Sequence, residues 1–300
     1  MEREINILEV GPRDGFQNLK QLLTTEQKLE IIDGLINSGI KELEVTSFVS
    51  PKAIPQMADA EKVAAYCLEK YPETKIYALI PNLKGAQNAW NAGIRHVSYV
   101  ISLSESHNKA NINRTHEESF EELKKLIEMY PKLDICVGLA TVFGCPFEGI
   151  PKISDAVAFA KKLWNYGVHS ICLADTIGIA DPKQVRETVY AMKEALPECE
   201  FQIHIHDTRN MGMVNTLAAI ECGITTVQST LGGLGGCPFA PGASGNTATE
   251  DLVYMLERMG YKTGVDFEKL LALSKYQKSF VEGVYSGHHM NIDNVACCRK

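Results

Sequence analysis

His204-Ile205-His206-Asp207 is the sharpest chemical signal in the chain. Residues two apart on a strand project from one face, so a strand over Phe201 to Ile205 aims both imidazoles together while Phe201, Ile203 and Ile205 alternate onto the other face. Two imidazoles joined by a carboxylate from another element suit a divalent metal. The same spacing fits a pair of hydrogen-bonded core histidines, and the H-x-H-D run alone leaves both readings open. Further polar groups gather where apolar runs stop: Gly11-Pro12-Arg13-Asp14-Gly15, Glu44 with Thr46, and Asp175-Thr176. A glycine-dense stretch runs Gly232-Gly233-Leu234-Gly235-Gly236-Cys237-Pro238 and resumes at Gly242-Ala243-Ser244-Gly245-Asn246. Such density costs backbone entropy and suits a loop that hinges or lets a ligand approach the backbone. The GxxxxGK[ST] and GxGxxG spacings of phosphate loops are absent from it. Cys237 there reads either as a proton donor or as an ordinary thiol, since reactivity depends on its pKa.

Positioning these groups falls to eight short apolar, β-branched runs: Ile5 to Val10, Leu43 to Thr46, Ile76 to Ile80, His96 to Ile101, Ile135 to Ala140, Ser170 to Ala174, Phe201 to Ile205 and Thr225 to Ser229. Helical spacing separates most of them, as in Leu29, Ile32, Leu35 and Ile36, or Phe120, Leu123 and Ile127. Thr24 with Gln27 and Thr115 with Glu118 read as capping boxes. Gly39, Gly93, Gly167 and Gly223 each stand where a helix should end, followed at once by an aliphatic residue, the pattern of a left-handed C-terminal cap leading into a strand. Repeated helix-to-strand joints of this kind predict a (β/α)8 barrel, with a doubly wound open sheet as the alternative. The barrel is expected over about 1–264 of a single domain, with a C-terminal helical extension over about 265–300. In a barrel, the polar groups above fall at the C-terminal strand ends, where barrel active sites lie.

The 300 residues are 45% hydrophobic and 22% charged, which excludes disorder and coiled coil. Thirty basic against 37 acidic residues give a net charge of −7 without a basic block, so nucleic acid is not an expected partner. No apolar run approaches the roughly 18 residues of a membrane span. Met1-Glu2-Arg3-Glu4 leads directly into the first apolar run and leaves no room for a signal peptide, which points to the cytoplasm. Nine cysteines without a CxxC pair suit reduced thiols rather than a disulfide framework or a zinc ribbon. Cys297 and Cys298 read as inert thiols of a terminal tail, with redox-sensitive bridging as the alternative.

Taken together, Glu9 to Gly15, Thr46 to Lys52, Gly144-Cys145-Pro146-Phe147-Glu148-Gly149, Asp175-Thr176-Ile177-Gly178, His204 to Thr208 and the run GGLGGCPFAPGASGNTATED from Gly232 to Asp251 resemble the hydroxymethylglutaryl-CoA lyases. These belong to the metal-dependent, Claisen-type TIM-barrel lyases and synthases, and the resemblance runs nearly end to end. Position by position, it implies Asp14, His204, His206 and Asn246 as ligands of Mg²⁺ or Mn²⁺, and Arg13, Glu44, Asp175 and Cys237 as catalytic residues. The implied reaction is carbon–carbon cleavage of a 3-hydroxyacyl-CoA, such as 3-hydroxy-3-methylglutaryl-CoA to acetyl-CoA and acetoacetate, by a homodimer. Arg13 would neutralise the enolate oxygen, Glu44 would orient Arg13, Asp175 would lie near the reacting hydroxyl, with a structural ion pair as the alternative for both carboxylates, and Cys237 would protonate the enolate carbon. The alternatives are a carboligase joining acetyl-CoA to a 2-oxo acid and a catalytically inactive acyl-CoA-binding homologue.

Three departures stand out. Cys136 and Gly138 occupy strand-five positions where the lyases carry arginine and tyrosine. Ala174 replaces the glycine before Asp175, and Arg209-Asn210-Met211-Gly212 follows His-Asp-Thr in place of an aromatic-glycine step. The expectation is intact metal chemistry with an altered acyl preference, unless donors such as Arg209 or His107 restore the lost contacts.

Overall fold

β-branched and aliphatic runs bury one face of each strand toward the barrel interior and the other toward a helical layer, and all eight expected runs form strands in the computed structural model, which describes residues 3–236 and 245–292. They are β1 (Asn6–Glu9), β2 (Glu42–Ser47), β3 (Lys75–Leu79), β4 (His96–Ser102), β5 (Asp134–Ala140), β6 (Ser170–Asp175), β7 (Glu200–Ile205) and β8 (Thr226–Ser229). Every neighbour is parallel, and β8 closes onto β1. The open-sheet alternative is thereby excluded.

Eight helices form the outer ring: α1 (Thr25–Asn37), α2 (Ala60–Lys70), α3 (Leu83–Asn91), α5 (His116–Met129), α6 (Ile153–Asn165), α7 (Pro182–Ala195), α8 (Gly212–Glu221) and α9 (Thr249–Arg258). A short inserted helix, α4 (Glu105–Ile112), follows β4. The C-terminal extension contains α10 (Phe267–Phe280), which packs on α1 and α9, and a single 3-10 turn at His289–Asn291. Both capping boxes are present: Thr24 and Thr115 accept the third amide of α1 and α5, and Gln27 and Glu118 reach back to the capping amides. Such a cap is worth about 1 kcal/mol. Gly39, Gly93, Gly167 and Gly223 all take positive φ, between 90° and 103°, and each sends the chain from a helix into the next strand.

Two irregularities lie at the C-terminal mouth. After β1 the chain makes a π-helical turn over Gly11–Gly15, which widens the backbone where Arg13 and Asp14 stand. In β2 the register against β3 jumps at Val45, a bulge between Glu44 and Thr46 that re-aims the strand beside Glu44. No helix among the described residues is long and apolar enough to cross a membrane.

Candidate metal centre and active site

The end of β7 supplies His204 and His206, with ring centroids 5.0 Å apart. Asp14 reaches them from the π turn after β1, and one potential ligand atom from each of the three lies within 4.8 Å of the others. Asn246 joins through the backbone: a bridge pairs it with His206, and the Asp207 amide donates to the Gly245 carbonyl at 2.6 Å. Gly245 allows this approach with a φ of 74°, and a Cβ there would meet the backbone of Gly235 and Gly236 at 2.8 Å. The Asn246 amide nitrogen donates to Asp14 Oδ2 at 2.7 Å.

The polar bookkeeping of this cluster tests whether it fits a cation. Asn246 Oδ1 and His206 Nδ1 are buried without a hydrogen-bond partner among the described residues. An orphaned buried polar atom costs about 1–3 kcal/mol, so two in one cluster of metal-ligand types are expensive unless an ion satisfies them. Burial pushes the His204 imidazole down to about 4, helped by His206, and lowers His206 as well. For Asp14, burial works upward, but Arg13 and the protonated imidazoles outweigh it and hold the carboxyl at about 2. At neutral pH the cluster therefore presents two neutral imidazoles, one carboxylate and one carboxamide, the protonation state a divalent cation requires. The donor set fits a hard or borderline divalent ion.

His204 is oriented from behind, because its Nδ1 contacts Gln228 Oε1 at 3.1 Å and Gln228 in turn donates to Gln202 Oε1 at 3.1 Å. An Nδ1–H held by that amide oxygen leaves the Nε2 lone pair for a metal. Sequence reading missed this pair, although both glutamines share the inward face of their strands with the histidine. Arg13 sits beside the cluster, donating through Nε to Glu44 and through Nη1 to Asp14. Burial opposes its charge, but the two carboxylates over-compensate and the guanidinium stays ionised. Glu44 stands against Arg13, with its second oxygen buried and without a hydrogen-bond partner among the described residues.

Asp175 does not join the cavity. On β6 the inward positions are Cys172 and Ala174, so the period-two alternation turns Asp175 outward, where Ile179 and Ala180 amides donate to its two oxygens at 3.0 Å each. Burial raises its carboxyl to about 6 against those amides. Asp175 thus shapes the turn after β6, and Thr176 lines the cavity. Arg209 is likewise engaged elsewhere, donating to the Ile177 and Gly178 carbonyls, whereas His107 does reach the cavity lining. Cys237, Cys297 and Cys298 lie outside the described residues, and Gly236, which precedes Cys237 in sequence, lines the cavity rim.

Two buried glutamates that sequence reading also missed hold the scaffold of this mouth. Glu9 accepts the Gly11 and Leu231 amides at 2.8 and 2.9 Å and the Thr249 hydroxyl, tying the π turn to the loop after β8. Glu250 accepts the Gly232 amide at 2.8 Å and the Ser274 hydroxyl of α10 at 2.7 Å. Burial pushes both carboxyls up to about 7 from an ordinary 4.5. With the folded pKa above the unfolded one, the folded chain retains protons that the unfolded chain releases, so stability falls as pH rises between those values. We expect the melting temperature of Glu250→Gln, relative to that of the unsubstituted chain, to rise between about pH 5 and pH 7, because the variant lacks the proton that Glu250 retains on folding. An unchanged slope in the variant would assign the pH dependence to other groups.

The cavity in front of the cluster has a volume of about 400 Å³ and extends down into the barrel. With this geometry in place, likeness to known proteins becomes informative. The HMGL-like family matches residues 4–276. The hydroxymethylglutaryl-CoA lyase YngG of Bacillus subtilis (strain 168) is 41% identical over 276 residues, spanning 91% of this chain and 92% of that protein. The mitochondrial hydroxymethylglutaryl-CoA lyase of Homo sapiens is 40% identical over 278 residues, 92% of this chain and 85% of the relative. Among solved structures, an HMG-CoA lyase from Acinetobacter baumannii, in complex with coenzyme A and 3-methylmalate, superposes with a TM-score of 0.92 at 38% identity, covering 98% of this chain and 96% of the other. The chain belongs to the HMGL-like family and is a carbon–carbon lyase built on a (β/α)8 barrel.

Proposed function

We propose that the chain cleaves the C2–C3 bond of a 3-hydroxyacyl-CoA, either 3-hydroxy-3-methylglutaryl-CoA to acetyl-CoA and acetoacetate or a closely related thioester. The observation that carries this reading is the juxtaposition of the Asp14, His204 and His206 cluster with the carboxylate-clamped guanidinium of Arg13. Asp14, His204, His206 and Asn246 would hold Mg²⁺ or Mn²⁺. A bound divalent ion supplies Lewis acidity, making the substrate hydroxyl easier to deprotonate.

The rest falls to the chain's own side chains. Cleavage removes the hydroxyl proton, breaks C2–C3 to leave a ketone, and sends the electron pair into the thioester enolate. Arg13, fixed by Glu44 and Asp14, offers preorganised donors to the enolate oxygen at no reorganisation cost. Glu44 acts through Arg13, and Asp175 acts through the turn it caps. Cys237 is our candidate donor to the enolate carbon, on the strength of its place in the glycine-rich sequence after Gly236. The same reading takes the enzyme as a cytoplasmic homodimer with an acyl-CoA as its substrate.

The test is direct. Chelator-treated protein should release no acetyl-CoA from 3-hydroxy-3-methylglutaryl-CoA or its close analogues, and Mg²⁺ or Mn²⁺ should restore release. Synthesis of such thioesters from acetyl-CoA and a 2-oxo acid, without cleavage, would favour the carboligase instead. Coenzyme A affinity without turnover of any acyl-CoA would favour an inactive homologue.

A further inference from the structure

Barrel interiors are normally filled by layers of side chains. Here solvent reaches Ser98, Val100, Gly138, Ala174 and Gln228 inside the strands, so the cavity continues below the metal cluster as a well. Strand register places Val100, Gly138 and Cys172 in one row, with Ser98 and Cys136 in the row beneath. The wall facing the β1 and β7 cluster is thus built from small, uncharged residues of three consecutive strands, β4 to β6.

Gly138 shows that this space is not a packing defect. Glycine in a strand interior weakens the strand and often marks the close approach of a ligand or another backbone. Its φ is not positive, and a Cβ would meet only Val100 Cγ2 at 3.5 Å and the Tyr99 carbonyl at 3.9 Å, both ordinary contacts. Neither backbone conformation nor a neighbouring chain requires glycine there. What remains in front of it is open volume.

The charge inventory of the lining points the same way. Arg13 is held by Glu44 and Asp14, and Arg114 by Glu122 and the Pro81 carbonyl. Burial keeps His107 neutral, with its imidazole pushed down to about 4, and pushes the Cys136 thiol up to about 12. Residues 237–244 contain no Lys, Arg or His. A carboxylate lodged in the well would therefore be buried without a cation among the described residues, which is costly.

We propose that the acyl group beyond the reacting carbon is uncharged and aliphatic, seated in the well formed by Val100, Cys136, Gly138 and Cys172. This rests on the lyase reading above and narrows its substrate to 3-hydroxyacyl-CoA thioesters with a branched alkyl substituent at C3. For 3-hydroxy-3,5-dimethylhexanoyl-CoA, in which an isobutyl group replaces carboxymethyl at nearly equal volume, C2–C3 cleavage gives 4-methylpentan-2-one. The hydroxyl oxygen gives its proton to solvent, the C2–C3 bonding pair passes to the thioester enolate as the C3–O bond becomes a carbonyl, and one proton returned at C2 gives acetyl-CoA, so the net change moves a proton from oxygen to C2. No further reactant is needed.

The metal-loaded enzyme is assayed for kcat/KM on 3-hydroxy-3-methylglutaryl-CoA, the isobutyl analogue and the short 3-hydroxy-3-methylbutanoyl-CoA. We expect the isobutyl thioester to exceed the glutaryl thioester by at least about tenfold. Equal or better turnover of the glutaryl thioester overturns the inference and leaves the lyase reading standing, whereas no cleavage of any of the three overturns both. Filling the well with Gly138→Leu, or from the neighbouring strand with Val100→Phe, should cut kcat/KM for the isobutyl substrate at least about tenfold more than for the short one. Melting curves identify which of the two variants is folded. A folded variant with equal losses on both substrates also overturns the proposal.

Discussion

His204→Ala and His206→Ala should each weaken Mn²⁺ binding by about a hundredfold or more, measured by titration calorimetry on chelator-treated protein. Loss of a group that merely orients a ligand typically costs 10–100-fold in affinity, so loss of the ligand itself should reach at least the upper end. The His206→Ala variant should keep or slightly raise the melting temperature of the metal-free protein. His206 buries a ring nitrogen without a partner among the described residues, and alanine removes that penalty along with the ring. What disappears is the increase in melting temperature on adding Mn²⁺, because an ion that binds the folded chain stabilises it in proportion to its affinity. Undiminished Mn²⁺ affinity in both variants would place the ion elsewhere. Gln228→Leu, which removes the acceptor facing His204 Nδ1, should show the same effect in weaker form.

The second large effect is kinetic. Arg13→Lys should lower kcat by about 10²–10³, the usual cost of losing one preorganised donor to a developing oxyanion, with the melting temperature changed by only a few degrees. Lysine preserves the positive charge between Glu44 and Asp14, so the buried carboxylates remain neutralised. It cannot keep the planar fork that engages both carboxylates and still points a donor at substrate. The loss should therefore appear in kcat more than in KM. Near-normal kcat in a folded Arg13→Lys enzyme would remove the enolate-stabilising role.

Most of the frame was legible because it rests on local chemistry. Alternation and β-branching located all eight strands, hydroxyl-x-x-Gln/Glu spacing located two helix starts, and a glycine before an aliphatic residue located four helix ends. The H-x-H pair faced one way for the same period-two reason. That period also argues against Asp175 in the cavity, since His204 and Ala174 pair across β6 and β7 and Asp175 is one residue out of phase.

What stayed hidden depends on contacts between distant segments. Glu9 meets Leu231 and Thr249 across the barrel seam, Gln228 meets His204 across β7 and β8, and Ser274 of α10 reaches Glu250. No local period encodes such pairings. The inserted α4 was equally silent, being polar on most sides with only His107 and Asn108 buried. The Val45 bulge, which displaces the register beside Glu44, leaves no mark in residue type at all.

The central claim is that Asp14, His204, His206 and Asn246 form one cation site within reach of Arg13. Anomalous diffraction from a crystal grown with Mn²⁺ tests it most directly. The expected result is a single strong peak roughly 2 Å from an Asp14 carboxylate oxygen, from one ring nitrogen each of His204 and His206, and from Asn246 Oδ1. A fully occupied Mn²⁺ peak elsewhere in the molecule, with these four side chains unliganded, would contradict the account.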